Sequence, residues 1–206
     1  MDAQTLHYYA RNASAVAHRY ESIVNGLASH FERAFPVGGR VLDVGCGSGR
    51  DMAYLHAAAR EAYGLDATAE LVELAQVLHP ELKGRIAHGA LPDAPIPFCG
   101  GFDGLLCSAV LMHLPLEILP SAVHFMKRCL NPGGTLLYSV PSKRLDVVAA
   151  SHRDSSRRLF IPDTAGHLQR LFESQGFLTV DQWLNSDSLG RDEVEWASVL
   201  MRLDGC

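Results

Sequence analysis

Apolar residues follow two different patterns along this chain. In residues 3–35 they lie three and four positions apart, as on one face of a helix, and Gly26 and the nearby asparagines are expected to divide the segment into two or three pieces. From residue 40 onward, short apolar runs alternate with amphipathic segments. The predicted strands cover residues 40–44, 61–65, 85–88, 102–108, 135–140, 178–184 and 195–203, and the predicted helices cover 48–59, 69–78, 116–129 and 164–174.

This alternation predicts a parallel sheet with helices on both faces. The last two strands have no convincing helix between them, which indicates an antiparallel hairpin at one edge of the sheet. The expected fold class is therefore α/β: a doubly wound, Rossmann-like sheet of seven mostly parallel strands with an antiparallel C-terminal edge hairpin. Residues 142–162 form a long polar connection, and connections of that length often carry function.

Composition and charge narrow the class of protein. A length of 206 residues fits one domain, and 48% hydrophobic against 20% charged residues excludes general disorder. The net charge of −5 argues against a nucleic-acid partner. Five cysteines without a CxxC pair, and ten histidines without a metal-ligand spacing, argue against a disulfide framework and a metal site. No membrane span or signal peptide is recognisable, so a cytoplasmic location is expected.

The strongest local signal is a glycine loop, VLDVGCGSGRD, at residues 41–51. An apolar strand runs into Asp43. Three glycines, Gly45, Gly47 and Gly49, then follow at alternate positions, and a helix begins after them. Without side chains in the turn, the backbone can approach a ligand closely, and the first N–H groups of the helix face it. The loop therefore predicts a binding site for a nucleotide-like ligand.

Three ligand classes use such a turn. A phosphate-binding P-loop needs Lys followed by Ser or Thr, but Arg50 and Asp51 stand there. A dinucleotide fingerprint, GxGxxG, would place its third glycine at position 50, whereas the spacing here is GxGxG. The third class is S-adenosylmethionine (SAM), which has no phosphate and therefore tolerates Asp43, whose carboxylate suits the ammonium side of that ligand.

An acidic residue at the end of the second strand supports an adenosine ligand. Asp66 lies 21 residues after Gly45, where a carboxylate can accept hydrogen bonds from both ribose hydroxyls. This position serves NAD and SAM alike, so it does not separate the two cofactors.

With these residues the chain resembles the class I SAM-dependent methyltransferases, in particular the small single-domain bacterial type, over nearly all of residues 36–206. The first motif of that family matches Asp43 to Gly49, and its ribose acid matches Asp66, with Ala67 beside the adenine. Ala90 replaces the usual adenine-side acid, so the backbone of Ala90 and Leu91 is expected to meet the adenine amine.

Further motifs extend the resemblance. Phe102-Asp103 matches the fourth strand of the family, and the turn at residues 130–134 matches the start of its fifth strand. The segment that follows the fourth strand matches the wall behind the methionyl part of SAM and includes Cys107, Ser108 and Met112. Cys46 and Cys107 are expected to act as small apolar fillers of the cofactor pocket rather than as nucleophiles.

The resemblance implies an in-line transfer of the SAM methyl group to O or N of a small molecule, with S-adenosylhomocysteine (SAH) as product. His113 is the first candidate for a general base, although its imidazole can equally bind the backbone. The N-terminal residues 1–35 are expected to form a helical lid over a SAM-binding core at 36–206. Candidate lid and substrate residues are Tyr8, Tyr9, Arg11 and Tyr20 in the helices, and His152, Arg153, Arg157 and Arg158 in the long loop.

Three alternatives remain open at this point. The acceptor could be RNA or protein, although the residues after the fourth strand, CSAV, lack the Asn/Asp-Pro-Pro-aromatic motif of base-amine methyltransferases. The chain could bind SAM without catalysis, because no essential base is identifiable. A nicotinamide oxidoreductase is disfavoured by Arg50 and by the predicted edge hairpin. Neither the acceptor nor the oligomeric state can be predicted from the sequence.

Overall fold

The sheet forms the centre of the molecule. The computed structural model describes residues 1–23, 26–162 and 164–205. Within these residues the strands are β1 (Arg40–Val44), β2 (Glu61–Asp66), β3 (Ile86–His88), β4 (Phe102–Ser108), β5 (Leu130–Arg144), β6 (Phe177–Ser186) and β7 (Val194–Leu203), in the spatial order β3-β2-β1-β4-β5-β7-β6.

The topology confirms the predicted fold class. Strands β1 to β5 are parallel, whereas β7 pairs antiparallel with both β5 and β6. Because β1 and β4 are central and parallel, their carboxyl ends meet at one edge together with that of β2. The crevice outside the carboxyl ends of such strands, where the strand order reverses, is the usual place for a ligand in an open α/β sheet.

Helices cover both faces of the sheet. The helices are α1 (Ala3–Arg11), α2 (Ala13–Glu21), α3 (Phe31–Ala34), α4 (Arg50–Ala57), α5 (Ala69–Leu78), α6 (Leu119–Cys129) and α7 (Thr164–Ser174). Side chains of β1 alternate between the faces: Leu42 and Val44 pack in the core beneath α6 and α7, and Val41 packs in the core beneath α3 and α4. Both faces of β1 are therefore buried, which agrees with the short apolar run that predicts this strand.

The fifth strand differs from its prediction at both ends. The strand predicted over 135–140 extends from Leu130 to Arg144. Leu130 pairs with Phe102 and Thr135 with Gly104, so the predicted turn at 130–134 is a bulge within the strand. At the other end, pairing of Arg144 with Val194 prolongs the strand beyond Val140. The long loop therefore begins at residue 145 rather than 142.

The helices predicted over 69–78 and 164–174 are confirmed as α5 and α7, and the other helical segments are shorter or divided. The segment predicted over 3–35 is divided into α1, α2, a 3-10 turn at Ala28–His30 and α3; Val24, one of its apolar positions, lies outside the described residues, as does Cys206. The helix predicted over 48–59 begins only at Arg50, because Gly49 has a left-handed φ of 86° and acts as its N-cap. The helix predicted over 116–129 begins with a 3-10 turn at Leu116–Ile118, and α6 follows.

Candidate active site

The glycine loop connects β1 to α4 in the conformation that its sequence predicts. Gly45 has a φ of 79°, and a Cβ atom there would lie 2.2 Å from Cγ2 of Val110. The N–H of Gly45 donates to the carbonyl oxygen of Leu65 at 2.7 Å, which fixes the loop to the end of β2. Only glycine combines this backbone geometry with this close approach.

Asp66 is bound to the same loop. Its Oδ2 accepts a hydrogen bond from the N–H of Gly47 at 2.9 Å, and its Oδ1 accepts one from the N–H of Thr68 at 2.8 Å. The side chain is buried, with 6% of the residue exposed. Burial raises the pKa of Asp66, and the two N–H donors oppose that rise. Each carboxylate oxygen keeps a second lone pair, which leaves capacity for two further donors.

Asp43 is a buried carboxylate that lacks a hydrogen-bond donor. Only 3% of the residue is exposed, and no described group donates to its side chain. Burial raises its pKa well above the ordinary value, and the nearby charges of Asp51 and Asp66 raise it further. Asp51 differs, because Nε of Arg50 donates to it at 2.8 Å. An unpaired buried carboxylate that lines a cavity is electrostatically suited to a cation.

The N-terminal helices are tied to the glycine loop. The guanidinium of Arg50 donates to the carbonyl oxygen of Tyr20 at 2.9 Å, and the hydroxyl of Ser48 donates to Glu21 at 2.6 Å. The end of α2 is thereby held against the start of α4.

His113 connects the N-terminal helix to the long loop. Its Nδ1 donates to the carbonyl oxygen of Leu159 at 2.6 Å, since a carbonyl only accepts, and its Nε2 lies 3.2 Å from the hydroxyl of Tyr9. The hydroxyl of Tyr9 also accepts from Arg158 at 3.4 Å. Burial lowers the pKa of His113 to about 4, so the ring is neutral at pH 7 and Nε2 accepts from Tyr9.

One cavity brings most of the predicted site residues together. The predicted residues that line it are Asp43, Gly45, Cys46, Gly47, Asp66, Ser108, Met112, His113, Tyr9, Tyr20 and Arg158. The thiols of Cys46 and Cys107 have raised pKa values because they are buried, which keeps them protonated.

Five predicted cofactor residues lie outside the described lining of the cavity. Gly49 caps α4, and Cys107 is fully buried in the core. The carbonyl of Ala67 accepts from His88 at 3.1 Å, that of Ala90 accepts from the N–H of Asp93, and that of Leu91 accepts from the N-terminal ammonium at 3.0 Å.

The remaining lid candidates lie elsewhere. Tyr8, Arg11 and Arg157 line a separate groove between α1 and the loop after β5. Arg153 binds Asp2 at 2.8 Å, and His152 pairs through its carbonyl with the N–H of Phe160. The structure therefore brings Tyr9, Tyr20 and Arg158 to the cavity and places the other candidates around it.

Sequence reasoning missed the side of the cavity that the edge strands build. The lining residues missed there include Ser139, Asn185, Asp187, Arg191, Trp196 and Ser198. The only local signal is the Asp187–Arg191 spacing of four in the β6–β7 connection, and that spacing predicts an ion pair rather than a site. Ser139 lies on β5, and the other residues reach the cavity from β6, β7 and their connection, in the strand order β5-β7-β6.

The described residues show neither a metal cluster nor a membrane-spanning helix. Across the described residues, no group of three or more histidine, cysteine or acidic side chains is arranged to hold a metal ion. In the same part of the chain, no helix combines the length and apolar character needed to span a membrane.

The sheet order, the antiparallel edge strands and the glycine loop with two strand-end carboxylates define a class I methyltransferase fold. The profile of the family described as "Methyltransferase domain" matches residues 13–204. The chain therefore belongs to the methyltransferase-domain family, which confirms the resemblance found in the sequence motifs.

Relatives and solved structures agree with this assignment. A ubiquinone biosynthesis O-methyltransferase of Alkalilimnicola ehrlichii is 31% identical over 107 residues, which are 50% of this chain and 41% of that protein. A protein of the same name from Xanthomonas axonopodis pv. citri is 34% identical over 115 residues, 52% of this chain and 45% of the relative. The match thus spans less than half the length of these curated relatives.

Among solved structures, the 1,6-didemethyltoxoflavin-N1-methyltransferase of Burkholderia thailandensis, with bound SAH, superimposes with a TM-score of 0.78 at 18% identity, covering 98% of this chain and 88% of that one. A TehB-like SAM-dependent methyltransferase of Corynebacterium glutamicum gives 0.71 at 18% identity, with 93% and 97% covered. At this identity the likeness establishes the fold.

Proposed function

We propose that this protein transfers the methyl group of SAM to an oxygen or nitrogen atom of a small molecule and releases SAH. The observation that carries the proposal is a single cavity with the glycine loop, Asp43 and Asp66 on one side and Tyr9 and His113 on another. The names of the relatives, which specify O-methyl and N1-methyl transfer, support both acceptor atoms as candidates.

The residues of the cavity fit SAM. The unpaired carboxylate of Asp43 suits the cationic methionyl end, and Asp66 keeps lone pairs for the ribose hydroxyls. Gly45 and Gly47 line the cavity with backbone alone, and a Cβ atom on Gly47 would approach only the Tyr20 ring, at 4.0 Å. The five predicted residues outside the lining, Gly49, Ala67, Ala90, Leu91 and Cys107, stay predictions as cofactor contacts.

When bound, SAM supplies a methyl group that is already activated by the sulfonium. The protein then has to orient the acceptor and exclude water. We propose that α1 and α2 act as a lid for this purpose, with residues 1–35 closing over the core at 36–206. The cytoplasmic location stays a prediction.

Tyr9 and His113 have distinct parts in this proposal. A histidine with a pKa of about 4, whose ring nitrogens both have protein partners, is a poor base for a hydroxyl or ammonium group. We therefore assign His113 as a positioning residue that directs the hydroxyl of Tyr9, and Tyr9 as the group that meets the acceptor. The acceptor therefore gives up its proton to solvent outside the closed cavity.

A label-transfer assay tests the proposed function. The purified chain is incubated with methyl-labelled SAM and, separately, with the small-molecule and the macromolecular fractions of a bacterial extract. We expect protein-dependent label in the small-molecule fraction. Asp66→Ala should reduce SAM affinity about tenfold or more, because a charge-assisted hydrogen bond contributes about 1.5–3 kcal/mol. Asp204→Ala, at an exposed carboxylate, is the matched control.

The possible results separate the alternatives. Label in the RNA or protein fraction alone would overturn the acceptor class but retain the cofactor. Calorimetric binding of SAM without transfer to either fraction would favour a non-catalytic SAM-binding module. Absence of SAM and SAH binding would overturn the proposal as a whole.

A further inference from the structure

Charge is separated along the cavity. On the side built by the glycine loop and the end of α2, the acidic lining residues, Asp43, Asp51 and Asp66, outnumber the basic ones, Arg19 and Arg50. On the side built by the long loop and the edge strands, the lining residues are mainly basic; they are Arg144, Arg158 and Arg191, with Asp187. The groups of the second set lie close together, since the charges of Asp146 and Arg158 both act on Arg191.

Asp187 holds Arg191 in place through two of its three guanidinium nitrogens. Its Nε and Nη2 donate to the two carboxylate oxygens of Asp187 at 2.8 and 2.7 Å. Asp187 also accepts from the backbone N–H of Leu189 at 3.0 Å and from the indole N–H of Trp196 at 2.9 Å. One carboxylate thus fixes the loop, the cation and an aromatic wall of the cavity. Among the described residues, Nη1 of Arg191 has no hydrogen-bond partner.

Arg144 repeats this arrangement. Its Nε and Nη2 donate to Asp146 at 2.7 and 2.9 Å, and its Nη1 likewise has no acceptor within the described part of the chain. The guanidinium carbon lies 3.5 Å from the centre of the Phe160 ring. Arg158 differs, because Asp154 takes its Nε and Nη2 and the hydroxyl of Tyr9 takes its Nη1.

A row of small polar side chains joins the two ends of the cavity. Ser108, Ser139 and Ser198 lie side by side across β4, β5 and β7, because Ser139 is in register with both of its neighbours. The hydroxyls of Ser108 and Ser139 are 3.4 Å apart, and Asn185 donates to Ser198 at 2.7 Å. This row offers donors and acceptors along one edge of a bound molecule.

We propose that the edge-strand side of the cavity recognises an aromatic acceptor that carries an oxyanion, and that Arg191 is its specificity-determining residue. The free Nη1 groups of Arg191 and Arg144 bind the oxyanion, Trp196 and Phe160 flank the ring, and the serine row binds its polar edge. The inference rests on the proposed function, because it names the class of acceptor for the same cavity. Carboxylates and phosphates share this chemistry.

Three probes of similar size separate the possibilities: benzoate, phenyl phosphate and the neutral benzamide. Their binding is measured by calorimetry, with and without saturating SAH. We expect at least one anion to bind about tenfold or more tightly than benzamide, since one charge-assisted hydrogen bond supplies that difference. The tighter of the two anions identifies the carboxylate or the phosphate as the natural group.

Variants test which residues cause the preference for an anion over benzamide. Arg191→Gln alone would leave the buried Asp187 unpaired, so Arg191→Gln is combined with Asp187→Asn, which removes the pair while an amide can still accept from Trp196. This double variant should lose most of the preference for the anion and retain SAH binding. Arg170→Gln, at an exposed arginine of α7, is the control and should retain both.

Two results would overturn the inference: benzamide binding as tightly as both anions, or an anion preference that persists unchanged in the double variant. Failure of the proposed function is recognised separately, because SAH binding is measured in the same samples and the probes are also titrated without SAH.

Discussion

Among single residues, Asp43 is the buried carboxylate that the described residues leave without a hydrogen-bond donor. Desolvation and the charges of Asp51 and Asp66 disfavour its ionised form, and the charge of Arg50 opposes them only in part. Such a group destabilises the unliganded protein and becomes favourable only when a cation binds. Groups that reduce the free energy of unfolding in this way are expected mainly at functional sites.

Asp43→Asn should therefore separate stability from binding. The unliganded variant should be at least as stable as the parent, because a buried carboxylate without a hydrogen-bond donor is removed. Its affinity for SAM should fall about tenfold or more. Thermal unfolding and calorimetry measure the two effects, with Asp204→Asn as a control for an exposed carboxylate. Lost stability combined with unaltered affinity would mean that Asp43 is a structural residue.

His113 predicts a pH dependence of stability. Its pKa is lowered from 6.5 to about 4 in the folded state, so the unfolded chain binds a proton at pH values where the native ring does not. The stabilisation is therefore complete above about pH 6.5 and is lost as the pH falls towards 4, by about 1.4 kcal/mol per pH unit at most.

Urea unfolding between pH 4 and 7 measures this slope. His113→Gln, which can still donate to Leu159 and accept from Tyr9, should show a shallower slope than the parent over that window. His124→Gln, at an exposed position of α6, should leave the slope unchanged. Equal slopes in the parent and in His113→Gln would refute the assignment of a buried neutral imidazole.

At the scale of elements, α1 and the loop after β5 hold each other in place over the cavity. Asp2 caps α1 by accepting from the N–H of Thr5 at 2.9 Å and also binds Arg153 at 2.8 Å. The hydroxyl of Thr5 accepts from the N–H of Leu159 at 2.9 Å. The same loop bears Arg158, which binds Tyr9, so the proposed lid can open only if these contacts break together.

Arg153→Gln should weaken this closure without disturbing the sheet. Losing a partly buried ion pair worth about 1 kcal/mol should raise the dissociation rate of SAH about fivefold and lower the unfolding midpoint by only about 2–4 °C. Stopped-flow displacement measures the rate. Lys143→Gln removes a nearby exposed charge and is the control. An unchanged dissociation rate would show that α1 and the loop do not gate the cavity.

For the whole molecule, the sequence predicts the sheet and its helices better than it predicts the acceptor side of the cavity. The limits of β1, β4, α5 and α7 agree with their predictions, because apolar periodicity and glycine positions are local signals. The hydrogen bond between Tyr9 and His113 joins residues 104 positions apart, and no local sequence pattern predicts it. Trp196 and Arg191 reach the cavity through the order of the edge strands, which is set by pairing rather than by periodicity.

All the proposed residue roles depend on which ligand binds at the glycine loop. A thermal-unfolding titration of the purified chain with SAM, SAH, NAD and ATP tests it most directly. A ligand at about 100 times its dissociation constant adds about 2.7 kcal/mol, which raises the midpoint by several degrees for a domain of this size. We predict such a rise with SAM and SAH and none with NAD or ATP. A rise with NAD, or none with SAM and SAH, would contradict the account.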